Sequence, residues 1–201
     1  MKLFLTLMSL APVGTVLAGS ITTYYDAHNQ GSPGGAVYFD VVVGPADLLI
    51  TRFDTNTNMP GGGTFSFQAY TRPGTNWQNW HNNDWVLVAT GTGQGHAVNT
   101  PSPITLDAPF LLQANTLYGM ALVISSGHEY DDPGPIQFSN SDVMLDLGAA
   151  TNVPFQGKVF WVRMWNGTMY YEVVPESATI VTLACGLVTF ALGRRRLASK
   201  R

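Results

Sequence analysis

From Gly19 to Val174 the apolar residues fall in short runs bounded by Gly, Pro, Asn and Asp, and no stretch sustains a helical period. Nine such runs predict strands: residues 36–43, 48–54, 64–71, 85–90, 104–106, 116–125, 142–147, 159–165 and 168–174. In two of them alternation is plain. Phe65, Phe67 and Ala69 oppose Thr64, Ser66 and Gln68, while Val143, Leu145 and Leu147 oppose Met144 and Asp146, so each strand turns one face to a core. Short strands recurring about every ten residues predict an all-β fold, an antiparallel, jelly-roll-like β-sandwich. Asn166-Gly167 between the last two runs predicts a type I′ hairpin, and that turn is a stronger reading than the sequon Asn166-Gly167-Thr168. Gly61-Gly62-Gly63 after Pro60 predicts a second hairpin connection. Gly91-Thr92-Gly93-Gln94-Gly95-His96 has no helix after it and a misplaced third Gly for a dinucleotide fingerprint, so it predicts a turn.

The two ends differ from the middle. Lys2, the apolar run over 3–17 and the closing Val16-Leu17-Ala18 have the parts of a secretory signal, with cleavage expected between Ala18 and Gly19. Pro12 and Gly14 interrupt the run, which is shorter than the roughly 20 residues that cross a bilayer. Residues 178–193 are apolar throughout and are followed by Arg194-Arg195-Arg196, Lys200 and Arg201. The positive-inside rule keeps this basic tail cytoplasmic and places what precedes it across the membrane. Sixteen helical residues reach roughly 24 Å, short of the roughly 30 Å hydrocarbon core, so the segment is expected to be a marginal anchor. The chain therefore divides into a signal peptide (1–18), an extracytoplasmic β-domain (19–173) and a C-terminal tail (174–201).

Val174-Pro175-Glu176-Ser177, an apolar helix and an arginine cluster, in that order over about the last 28 residues, resemble a PEP-CTERM sorting tail of exported proteins from exopolysaccharide-producing Gram-negative bacteria. Ser177 stands where that pattern usually has Pro. The resemblance implies that an exosortase, a membrane protease-transpeptidase, recognises and cuts the tail. The membrane would then be a transient station on the way to the cell surface or matrix; the alternative is a plain single-span anchor. Some tails of this class carry an ice-binding label, but Thr55-x-Thr57 and Thr90-x-Thr92 do not make the regular flat Thr array that ice adsorption calls for. Tyr70-Thr71-Arg72-Pro73-Gly74, followed later by Trp85-Val86-Leu87-Val88, resembles a strand–loop–strand pattern of β-sandwich domains that precede such tails, and it implies architecture alone.

Charge sharpens this picture. Only 11% of the chain is charged, against roughly 25% in ordinary soluble domains. From Gly19 to Val174 twelve acids face four bases, a net of −8 against −3 for the whole chain. That balance disfavours a nucleic-acid partner, which needs a basic face, and suits an extracellular surface. The single Cys185 forbids an intramolecular disulfide and a Cys-based zinc site, and inside the tail's apolar run it reads as a small apolar residue.

Two segments have ligand chemistry. Trp77, Trp80 and Trp85 stand among Asn, Gln, His and Asp in a long loop, where exposed indoles could stack on sugar faces and amides pair with hydroxyls. The structural alternative is that Trp85, and Trp77 with it, pack down to close the end of the sandwich. In His128-Glu129-Tyr130-Asp131-Asp132-Pro133 the carboxylates of Glu129, Asp131 and Asp132 are a weak Ca²⁺ candidate, because the spacing of an EF-hand or calcium repeat is missing and a solvated turn explains them as well. No nucleophile elbow, zinc-protease helix, catalytic carboxylate pair or phosphate loop is present, so neither catalytic residue nor cofactor is expected. The expected function is a non-catalytic exported surface or matrix protein, with an exosortase-like enzyme as partner. The alternative is an exopolysaccharide-binding module.

Overall fold

The computed structural model describes residues 17–132 and 136–174. The expected signal sequence before Leu17, the sorting motif beyond Val174, the apolar segment with Cys185 and the Arg194–Arg196 stop lie outside the described residues. Among those described there is no helix, and therefore none long and apolar enough to cross a membrane. The strands are β1 (Leu17–Thr22), β2 (Asn29–Gln30), β3 (Ala36–Val43), β4 (Asp47–Thr55), β5 (Thr64–Pro73), β6 (Val86–Gln94), β7 (Ser102–Leu112), β8 (Leu117–Ile124), β9 (Glu129–Asp131), β10 (Gln137–Ser139), β11 (Val143–Val153), β12 (Gln156–Trp165) and β13 (Gly167–Val174).

All nine expected strands form, several of them longer than their apolar runs. β7 is the extreme case. Its ladder with β4 jumps from Arg52↔Thr105 to Ile50↔Phe110, so Pro109 falls in a bulge where no ladder N–H is needed.

The strands form one antiparallel sheet in the order β1-β13-β4-β7-β6-β5-β8-β3-β11-β12-β9-β2, with β10 added to β11. The sheet curls until its two arms face each other, a sandwich-like all-β fold. Phe53 of β4 lies 5.3 Å from Phe67 of β5 and 6.1 Å from Trp165 of β12, and Trp165 stacks on Phe39 of β3 at 5.1 Å. The inward side chains of both arms, among them Val41, Leu48, Ile50, Ile104, Leu122 and Leu145, make the main core.

The arms meet through the three-residue β6–β7 ladder, where Gly93 lies against Phe65 so closely that a methyl group would overlap the ring. The Gly91–Gln94 stretch is thus strand rather than turn, its glycine chosen for close approach.

Two connections differ from the sequence reading. Asn166-Gly167 is no hairpin: β12 pairs with β11 and β9, β13 pairs with β1 and β4, and neither residue has positive φ. Here the chain crosses between arms, and the Asn56 N–H donates to the Asn166 carbonyl at 2.9 Å. Asn166 is buried, so its sequon is closed off. Pro60-Gly61-Gly62-Gly63 is a turn, but it too links strands of different arms, since β4 and β5 are not paired. Such crossings satisfy the burial pattern equally well and leave no local trace in the sequence.

Candidate functional site

A second apolar layer covers the outer face of β5, β8, β3 and β11. Tyr38, Ala36, Ala121, Val123 and Ala149 form its floor, and Tyr70, Trp80, Trp85, Phe155 and Val159 pack onto it. The loop over residues 74–85 lies across this face and is tied down by polar groups at both ends. At its start Thr75 Oγ1 donates to Asp40 Oδ2 at 2.6 Å, and the Asn76 backbone N–H and Nδ2 both donate to Asp40 Oδ1 at 2.6 Å. At its end the buried Arg72 guanidinium grips Asp84 with Nε at 3.1 Å and Nη2 at 2.8 Å, and its Nη1 donates to the Thr75 carbonyl. The same grip holds the Asp84 carboxyl below its ordinary range, the hydrogen bond from Arg72 being the main cause.

The three loop tryptophans therefore have different roles. Trp80 and Trp85 are half-buried, and their indole N–H groups donate inside the loop, to Asn76 Oδ1 at 2.9 Å and to the Asn79 carbonyl at 3.1 Å. The packed-down indoles are Trp80 and Trp85; the amides of Asn79 and Asn82 bond within the loop, and that of Asn76 ties Trp80 to Asp40. Trp77 alone of the three is exposed, at 44%.

Its partner is a residue the sequence reading passed over. Trp161 of β12 is 48% exposed, with its ring centroid 4.2 Å from that of Trp77 and the planes crossing at 67°. A Cβ on Gly148 would come within 2.8 Å of the Trp161 ring, so this glycine lets the indole lie on the β11 backbone. Between the two rings and the sheet is a cavity of about 290 Å³, bounded by Asp40 of β3, Thr75 and Asn76 of the loop, Asp146, Leu147 and Gly148 of β11, and Ile136. Asp40 and Asp146 are direct cross-strand partners. None of the ion pairs among the described residues involves either of them.

A readable signal existed for each of these. Trp161 is a large aromatic at an exposed position of its strand, and Asp40 and Asp146 are the lone acids of theirs. Their convergence depends on the β3–β11 register, which no local pattern records.

The acidic segment is organised differently from a calcium loop. Glu129, Tyr130 and Asp131 form β9, pairing with β2 and β12. Asp131 Oδ1 lies 2.8 Å from His28 Nδ1, and Asp132 pairs with Arg163. Asp131 and Asp132 thus face basic side chains instead of one another, and among the described residues no group of three or more His, Cys, Asp or Glu is placed to hold a metal ion.

No family model and no curated protein matches the chain. Among solved structures it is similar to the clostridial cysteine protease Cwp84 after propeptide cleavage, at TM-score 0.45 and 10% identity over 78% of this chain and 40% of that one. It is also similar to the VP2 subviral particle of infectious bursal disease virus, at TM-score 0.28 and 12% identity over 90% of this chain and 49% of that one. The chain thus spans half or less of the length of these two structures.

Proposed function

We propose that the protein is an exported, non-catalytic surface or matrix protein, delivered by a signal peptide and sorted through its C-terminal tail by an exosortase-like enzyme. The observation that supports this reading is the β1–β13 pairing, in which Gly19, the expected first residue of the exported chain, faces Tyr171 near the end of the β-domain. The exported chain thus enters and leaves the β-domain on neighbouring strands. The mass of the mature protein at both termini tests the reading. The expected product begins at Gly19 and lacks residues 178–201 in a host with the sorting enzyme. Intact Arg201 on the mature protein would replace sorting with a plain membrane anchor.

The Trp77–Trp161 cavity favours a second reading, a carbohydrate-binding domain. Two exposed indoles beside carboxylates and a preorganised loop are the materials of a sugar site. The residues assigned to it are Trp77 and Trp161, with Trp80 and Trp85 as support. Retention on the native exopolysaccharide should be lost in Trp161→Ala with the melting temperature little changed. Unchanged retention in that variant would remove this reading and leave the sorting proposal intact.

A further inference from the structure

We propose that the corner between Trp77 and Trp161 takes a protonated amino sugar, its ammonium group held by the indole faces and by Asp146; this rests on the carbohydrate-binding reading. Ring geometry is the first argument. Platforms for long neutral glycans need rings lying in one surface, whereas these two cross at 67° with centroids 4.2 Å apart and so make two walls of a compact corner. A cation against such walls is attracted by the ring quadrupoles.

The floor supplies the second argument. Asp40 and Asp146 are like charges directly opposite on neighbouring strands, an arrangement that weakens a sheet unless a positive charge joins it, and no described ion pair provides one. Asp40 already accepts three hydrogen bonds from Thr75 and Asn76, while among the described residues Asp146 accepts a single 3.4 Å bond, from Gln137 Nε2. Asp146 is therefore the carboxylate free to meet a ligand.

Size and long-range charge limit the ligand further. About 290 Å³ is near the lower end of small-ligand sites, room for one sugar ring. The net charge of −8 over residues 19–174 repels an acidic polymer and draws a cationic one.

Titration calorimetry of the full chain in detergent, at about pH 6 where such amines are protonated, separates the possibilities. The probes are a glucosamine oligomer, its N-acetylated counterpart and a neutral glucan oligomer. The glucosamine oligomer should bind about tenfold more tightly than either neutral probe. Asp146→Asn should abolish that preference, and Trp161→Ala should abolish binding of all three. Equal binding of the charged and neutral oligomers would overturn the amino-sugar inference and leave carbohydrate binding standing. Binding of none would remove both. Glucosamine binding that survives Trp161→Ala would show general attraction to an acidic surface, and would also overturn the inference.

Discussion

His128 shows how one buried ring can govern the acid response of the domain. It is 2% exposed, and its Nε2–H donates to the Leu122 carbonyl at 3.1 Å while Nδ1 has no hydrogen-bond partner among the described residues. Burial pushes its pKa down to about 4 from 6.5, against the smaller opposing effect of the Leu122 bond. The unfolded chain therefore binds this proton more readily than the folded one. Its contribution is intact above about pH 6.5 and is lost as pH falls toward 4, on the order of 3 kcal/mol in all. His28 works the other way. Its pKa is raised, chiefly by the hydrogen bond to Asp131, so its contribution is present below 6.5 and disappears as pH rises through the raised value. Asp84, with its lowered pKa, contributes above 3.8 and is lost only on further acidification. Glu129, whose carboxyl is pushed up by burial, favours the folded state on acidification, so the decline between pH 6.5 and 4 is assigned to His128. Urea unfolding across that range should show falling stability in the native protein and a flatter profile in His128→Gln, which keeps a donor for Leu122. The same decline in both proteins would put its origin elsewhere.

At the level of elements, what was legible followed apolar alternation, and what was missed lacks it. β3, with Val37, Phe39, Val41 and Val43 inward, carries its own pattern, and its bounds match the expected run at both ends. β2 is the dipeptide Asn29-Gln30, and β9 is Glu129-Tyr130-Asp131; both exist because a neighbouring strand offers an open edge, which local sequence does not encode. The Trp-rich loop was legible as a loop, with packing of Trp85 as the alternative to a ligand; that Trp80 packs beside Trp85 while Trp77 stays exposed was not legible. Its fixing depends on Arg72, near the end of β5, reaching Asp84 twelve residues on, and on Asp40 reaching across from β3. Arg72→Gln should therefore lower the melting temperature, through bonds lost to Asp84 and to the Thr75 carbonyl, while the β-sheet circular dichroism persists. Release of the loop would red-shift the tryptophan emission and expose Trp80 and Trp85 to acrylamide. An unchanged emission spectrum would mean that the aromatic layer alone holds the loop.

Over the whole molecule the consequential pairing joins the first described strand to the last. β1 matches β13 over six residues, from Leu17↔Val173 to Thr22↔Thr168, and Gly19 lies so close to the Tyr171 ring that a methyl group there would overlap it. The expected cleavage point between Ala18 and Gly19 falls within this ladder, and a chain beginning at Gly19 keeps four of the six pairs. Two of the retained residues matter most: Ile21, 5% exposed and part of the main core, and Thr22, whose hydroxyl meets that of Thr168 at 3.0 Å. The fragment 19–174 should then unfold in one cooperative transition, since both arms and every core strand are present. A fragment 23–174 loses the Ile21 side chain from the core, about 1.5–3 kcal/mol of burial, or roughly 3–12 °C in melting temperature for a domain of this size. It also bares the edge of β13, with its row of unpaired backbone groups, and should self-associate in sedimentation experiments. If 23–174 melts as high as 19–174 and stays monomeric, the segment before Thr23 belongs energetically to the leader, and the domain begins after it.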